Sequence, residues 1–147
     1  MEVPVEVKKS NICDQGVFVK IAIPKGTVVR INDGREDQII PLEEYNHTSK
    51  KQRKFLDEHG YWNKEETAMT FPRDEVKYFN HSCDPNVIND EGNGLDRDIA
   101  ARDIAAGEEL TYDYNIFLKN EEDRNHMRWM KCNCGAKPCK GVIAVED

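Results

Sequence analysis

Short runs of β-branched and apolar residues, each closed by Gly, Pro, Asn or Asp, set the texture of this chain. Residues 3–7 alternate Val, Pro, Val, Glu, Val, the period of a half-buried strand, with Pro4 placing it at an edge or a strand start. After the break at Cys13-Asp14-Gln15-Gly16, two further strands are predicted over 17–23 and 27–31, joined by the turn Pro24-Lys25-Gly26. Asn32-Asp33-Gly34 is another turn signal, and Ile39-Ile40 a short strand before Pro41. From Pro41 to Met69 the pattern becomes charged and helical. Thr48 or Ser49 is placed to cap a helix over 50–59 that Gly60 ends, with Phe55 and Leu56 as its apolar face. Strand texture returns at 68–71, a helical turn starts at Asp74, and short strands follow at 87–88 and 99–101 around an acidic, Gly-rich loop. Residues 102–110 form a strand-turn-strand leading into Thr111-Tyr112-Asp113-Tyr114. The predicted class is mostly β, with one helical insertion and no internal repeat.

Charge and composition narrow the function classes. In 147 residues, 28 Asp and Glu stand against 21 Lys and Arg, a net charge of -7 that opposes attraction to phosphate backbones or anionic lipid. Direct nucleic-acid and membrane roles are therefore not expected, whereas a basic protein partner is compatible. No window approaches the ~20 apolar residues of a membrane span, and the N-terminus lacks the pattern of an export signal. A soluble intracellular protein is expected, cytoplasmic or nuclear according to its host. Five cysteines without such a signal favour reduced thiols or a metal over disulfides.

Two stretches carry the chemistry. Tyr78-Phe79-Asn80-His81-Ser82-Cys83-Asp84-Pro85-Asn86 runs two aromatics into a series of donors, acceptors and a thiol, too polar for an ordinary core strand. Cys132, Cys134 and Cys139 form a CxCx4C cluster with Gly135 and Pro138 inside it, which lets a short loop fold its sulfurs onto one ion. Three thiolates leave a tetrahedral Zn2+ site one ligand short. Cys13, Cys83 and the histidines at 47, 59, 81 and 126 are the candidates for the fourth place, and Cys83 is favoured for its polar, turn-bearing surroundings.

These motifs together resemble a SET domain, the fold family of protein-lysine methyltransferases. Asn80 to Asn86 matches the family's NHSCxPN, Gly107 to Tyr114 matches GEELTYDY, and Cys132 to Cys139 matches the post-SET CxCx4C. The likeness extends over roughly residues 3–145, with the block 41–69 at the variable insertion. It implies a β-clip-like fold of several small sheets with a knot-like core built from the NHSC and TYDY stretches, a SET domain over 1–118 and a zinc-bound post-SET segment over 119–147.

The resemblance also assigns roles. It implies one structural Zn2+ on Cys83, Cys132, Cys134 and Cys139, with Cys13 left spare as a small apolar residue. It implies S-adenosylmethionine as cofactor, bound by Asn80 and His81 at the adenine end and by the turn at Gln15, Gly16 and Val17 near its methionine part. At that turn Asp14 replaces the first glycine of the family's GxG, a change tolerable where the backbone φ is negative. Tyr114 matches the catalytic tyrosine, and Tyr112 the position that influences how many methyls are added, its hydroxyl favouring fewer. Methyl transfer to lysine needs a neutral amine, whose free pKa is ~10.4, so an apolar channel and in-line positioning are expected rather than a strong base. The expected substrate is a protein or peptide, histone, histone-like or otherwise basic. The alternative is a zinc-stabilised SET-like interaction module without catalysis.

Overall fold

The computed structural model of the protein describes residues 1–34, 37–63, 65–90, 96–117 and 130–143, and of residues 116 and 117 the main chain only. It is built from two compact units, one comprising Met1–Asn32 and Phe79–Asp147, the other Asp33–Tyr78.

The first unit contains two small sheets. In the larger, β1 (Val5–Lys9), β2 (Gln15–Val19), β10 (Glu109–Tyr112) and β7 (Asn80–His81) lie in the order β1-β2-β10-β7. The inner strands carry the core on one face, where Val17, Val19 and Leu110 are fully buried. Each such side chain contributes ~1.5–3 kcal/mol relative to exposure. The β7–β10 pair is parallel, with Thr111 opposite Asn80 and Tyr112 opposite His81. The NHSC and TYDY stretches are thereby joined side by side. The smaller sheet orders β3 (Val28–Ile31), β9 (Arg97–Ala100) and β8 (Val87–Asp90) as β3-β9-β8.

Two expected strands are shorter than the apolar runs that predicted them. The run over 17–23 leaves the sheet after Val19, where Lys20 N–H turns to the Pro4 carbonyl. Ile21 is consequently exposed, and Ile23 rejoins only as a single bridge to Ile104. The run over 102–110 likewise becomes that bridge, a turn with Gly107 at φ 80, and β10.

The second unit is an antiparallel sheet of order β4-β6-β5, from β4 (Asp37–Pro41), β6 (Ala68–Pro72) and β5 (Tyr61–Trp62), with two helices and a 3-10 turn at Glu75–Tyr78. Helix α2 (Lys50–His59) is the one the sequence predicts. Ser49 is its N-cap, accepting from Gln52 N–H while the Gln52 side chain accepts from Ser49 N–H, a complete capping box. Phe55 packs its ring on His59 at 4.7 Å and on Phe71 at 5.6 Å. Ser49→Ala is expected to lower the unfolding free energy by ~1 kcal/mol in urea titration, the usual cost of an N-cap.

Gly60 ends α2 for a reason other than backbone handedness. Its φ of -109 is open to any residue, but a Cβ there would lie 2.8 Å from Met69 Sδ and 2.9 Å from the Leu56 carbonyl. The close passage of β6 is what requires glycine. Helix α1 (Leu42–His47) falls within the block read as helical, which gave it no bounds of its own; it follows Pro41, which starts it without a side-chain cap. The strand β5 was not expected, being two residues long. No helix among the described residues is long and apolar enough to cross a membrane.

Candidate methyl-transfer and metal site

In the stretch from Asn80 to Asn86, the side chains of Asn80, His81, Ser82, Cys83 and Asn86 each have a structural partner. Asn80 is buried and its amide donates to the Gln15 carbonyl at 2.8 Å and to Glu109 Oε1 at 2.7 Å. Asn86, also buried, clamps β10: its Oδ1 accepts from Thr111 N–H at 2.9 Å and its amide donates to the Glu109 carbonyl at 2.7 Å. Ser82 donates its main-chain N–H to the Tyr112 carbonyl and accepts from Asp84 N–H, holding the chain as it turns toward Cys83.

His81 stands between the two chemistries. It is 3% exposed, its Nδ1 accepts from Tyr114 N–H at 3.1 Å, and its Nε2 lies 3.4 Å from Cys83 Sγ. Burial holds the imidazole below its ordinary pKa, with Asp113, 3.7 Å from Nδ1, pulling weakly the other way. The lone pair that Nδ1 offers to Tyr114 N–H is that of a neutral ring.

Four sulfurs meet beside it. Those of Cys83, Cys132, Cys134 and Cys139 all lie within 4.8 Å of one another, and Cys83 and Cys132 are 3.8 Å apart. Zn–S bonds of ~2.3 Å in a tetrahedron separate sulfurs by ~3.8 Å, so both the spacing and the donor chemistry fit zinc. The loop that closes the site uses Gly135 at φ 69 and Gly141 at φ 82, and Cys132 N–H donates to the Gly141 carbonyl. Burial raises the Cys83 thiol and pushes that of Cys132 up to about 11. Burial acts the same way on Cys134, but main-chain donors at Cys83 and Ala136 and the neighbouring thiols outweigh it, bringing this thiol to about 6. Thiols packed this closely titrate together, and a divalent ion supplies the field in which they ionise.

None of the other candidates among the described residues belongs to the cluster: His81 stands beside it, its Nε2 3.4 Å from Cys83 Sγ, as a neighbour of a ligand. His47 Nδ1 is bonded to the Glu43 carbonyl and His59 Nδ1 to that of Lys77, while Cys13 is not among the four clustered sulfurs. Cys13, expected as a spare small apolar residue, is exposed rather than packed as one. His126 lies outside the described residues.

Tyr114 follows β10 in a 3-10 turn, and its hydroxyl donates to the Phe79 carbonyl at 2.6 Å. Burial, with the Cys13 and Glu109 charges adding to it, pushes its phenol up to about 12, so it stays protonated. Tyr112 is 5% exposed, stacks at 4.9 Å on Phe79 and hydrogen bonds to Asp98, whose carboxyl is raised by burial. The two tyrosines thus share Phe79 and otherwise have different partners. Tyr114 belongs with His81 and Phe79, Tyr112 with Phe79 and Asp98.

At the turn before β2, Asp14 has φ 28, a left-handed conformation, rather than the negative φ under which its replacement of glycine is easy. Aspartate tolerates that region better than most side chains. Asp14 therefore takes a backbone conformation that glycine adopts freely. Gly16 is required by contact: a Cβ would fall against the Glu109 carboxylate, 2.6 Å from Cδ, and 3.1 Å from Ser10 Cβ. That carboxylate cannot swing away easily, since Ser10 Oγ donates to both its oxygens at 2.9 Å and Asn80 to one. Gly16→Ala is expected to destabilise the protein by ~1–3 kcal/mol, the usual cost of overpacking, as a lowered midpoint in thermal unfolding. Glu109, Asn86 and Ser10 are functional supports that motif reading passed over. The first two stand inside the quoted motifs, while Ser10 has no sequence signal.

With this geometry in place, comparison with known proteins defines the class: the SET domain family profile matches residues 14–115, and the chain belongs to that family. Among curated proteins it is similar to the human histone-lysine N-methyltransferase 2B, 31% identical over 95% of this chain and 5% of that protein. It is also similar to the Arabidopsis thaliana histone-lysine N-methyltransferase ASHR3, 37% identical over 52% of this chain and 15% of the relative. A third relative is the Saccharomyces cerevisiae histone-lysine N-methyltransferase, H3 lysine-4 specific, 42% identical over 46% of this chain and 6% of the yeast protein. The chain spans only a small fraction of the length of each.

Proposed function

We propose that the protein is an S-adenosylmethionine-dependent protein-lysine N-methyltransferase acting on a histone, histone-like or other basic protein, with Tyr114 at the reaction centre. The observation that carries this reading is the parallel β7–β10 pair, which brings Asn80, His81 and Tyr114 to one place in a SET-family chain. When bound, the cofactor supplies an electrophilic methyl on a sulfonium. The chain supplies position and desolvation. Because the Tyr114 hydroxyl proton is committed to the Phe79 carbonyl, only its oxygen lone pairs remain, and these can hold an incoming amine N–H. A buried phenol that stays protonated is an orienting group, not a base.

Asn80 holds the Gln15 carbonyl, so Gln15, Gly16 and Val17, which lie in strand β2 rather than in the expected turn, and the Asn80-His81 strand move as one support for the cofactor. Tyr112 is assigned to limiting the number of methyls. One structural Zn2+ on Cys83, Cys132, Cys134 and Cys139 completes the assignment, with SET residues 1–118 carrying the helical insertion at 41–69 and post-SET residues 119–147. Nuclear residence would suit a histone substrate, cytoplasmic residence another basic protein.

The competing reading is a non-catalytic interaction module, favoured by the aspartate in a glycine position of the cofactor turn. Calorimetric titration with S-adenosylmethionine separates the two. Saturable binding at about one cofactor per chain is expected, and heats no larger than dilution would favour the module.

A further inference from the structure

We infer that His81 is a positioning residue of the metal site, donating its Nε2–H to the Cys83 thiolate while its Nδ1 is held by the Tyr114 main chain. The inference rests on the zinc reading above. A main-chain N–H can only donate, so the Nδ1 that lies 3.1 Å from Tyr114 N must offer a lone pair. In a neutral ring the proton then resides on Nε2, the atom 3.4 Å from Cys83 Sγ. Asp113 does not compete for it: its Oδ1 is 3.7 Å from Nδ1 and already accepts from the Asn115 main-chain and side-chain amides.

The consequence is chemical. Four thiolates around Zn2+ leave a net charge of about -2, and an N–H directed at one sulfur offsets part of it and fixes that sulfur's orientation; such donors matter ~10–100-fold in metal affinity. The ring is buried against Tyr114, with centroids 5.4 Å apart, so the donor is held rather than recruited. One imidazole thus ties the metal loop and the residue at the reaction centre to a common reference. The sequence offers this side chain as a candidate ligand or a cofactor contact, whereas here its Nε2 stands behind a ligand sulfur.

Two substitutions divide the ring's bonds. An Asn side chain reaches only as far as Nδ1 and can still accept from Tyr114 N–H, whereas a Gln side chain reaches the Nε2 position and can still donate to sulfur. In zinc competition against a chromophoric chelator, His81→Asn is expected to weaken zinc binding ~10-fold or more, and His81→Gln to stay within ~3-fold of wild type. An Asn variant as tight as wild type, or equal losses in both variants, would overturn the inference, the second by pointing to packing alone. Long-range 1H–15N NMR of the wild-type zinc protein gives an answer that needs no variant. A protonated Nε2 with a lone pair on Nδ1 is expected, and the opposite tautomer would refute the donor. A wild-type protein that takes up no zinc would refute the four-thiolate reading itself, whereas normal uptake with an unaffected Asn variant would refute only the role of His81.

Discussion

Cys83→Ser is expected to abolish stoichiometric zinc, taking elemental analysis from about one ion per chain to well below one, and to unfold the segment 130–143 in the same step. A structural zinc site supplies ~10 kcal/mol or more of apparent binding free energy at neutral pH, against ~1 kcal/mol for a typical hydrogen bond. The described part of that segment has little else to hold it: one bridge between Lys131 and Val142, a few main-chain bonds, and the Asn115 amide on the Ile143 carbonyl. Few of its apolar groups are buried, Cys132 and Ile143 being the exceptions. Limited proteolysis should therefore cut within 130–143 in the variant, and chelation of the wild type should reproduce the pattern. Because Cys83 lies two residues after His81 in the same turn, cofactor affinity is expected to fall as well. Unchanged cofactor affinity with a metal-free tail would show that the two functions of the stretch are independent.

The second large effect is expected at Tyr114. Tyr114→Phe removes one oxygen and leaves the ring against His81. The Phe79 carbonyl loses its 2.6 Å partner, a cost of ~1–2 kcal/mol in stability, which in a domain of this size lowers the melting temperature by only a few degrees. Turnover should suffer far more. Misplacement of a reacting group by ~1 Å costs ~100-fold in rate, and the amine here would lose the group that orients it. A kcat reduced ~100-fold or more with a modest shift in melting temperature supports the assignment. Retained turnover would move the reaction centre elsewhere.

The sequence was legible where local physics decides and silent where pairing does. Helix α2 could be placed because Ser49, Gln52 and Gly60 are local signals. The strands at 28–31 and 68–72 could be placed by their β-branched and aromatic runs. By contrast, no period in the sequence says that Tyr112 lies opposite His81 in a parallel pair, since a two-residue strand such as β7 has no period to read. That neighbourhood came from the resemblance of the motifs. The four sulfurs were legible as donors, and Cys83 as the fourth, because thiols clustered with Gly and Pro have few other uses.

What sequence could not reach was how side chains behind the motifs support one another. The Glu109 carboxylate excludes a Cβ at Gly16, a tertiary contact between residues 93 positions apart, from 109 minus 16. Asp14 was expected to need a negative φ and instead takes φ 28, because the geometry of the turn overrode the residue's preference. The sequence offers His81 as a cofactor residue or a candidate ligand, and only the fold places its Nε2 against the Cys83 thiol instead.

The central claim is methyl transfer to lysine, and its most direct test is incubation of the purified zinc-loaded protein with S-adenosylmethionine labelled in its methyl group and a panel of histones and other basic proteins. Label recovered as methyl-lysine on at least one substrate, lost on Tyr114→Phe, is the expected result. Cofactor bound to saturation with no label on any lysine across the panel would contradict it.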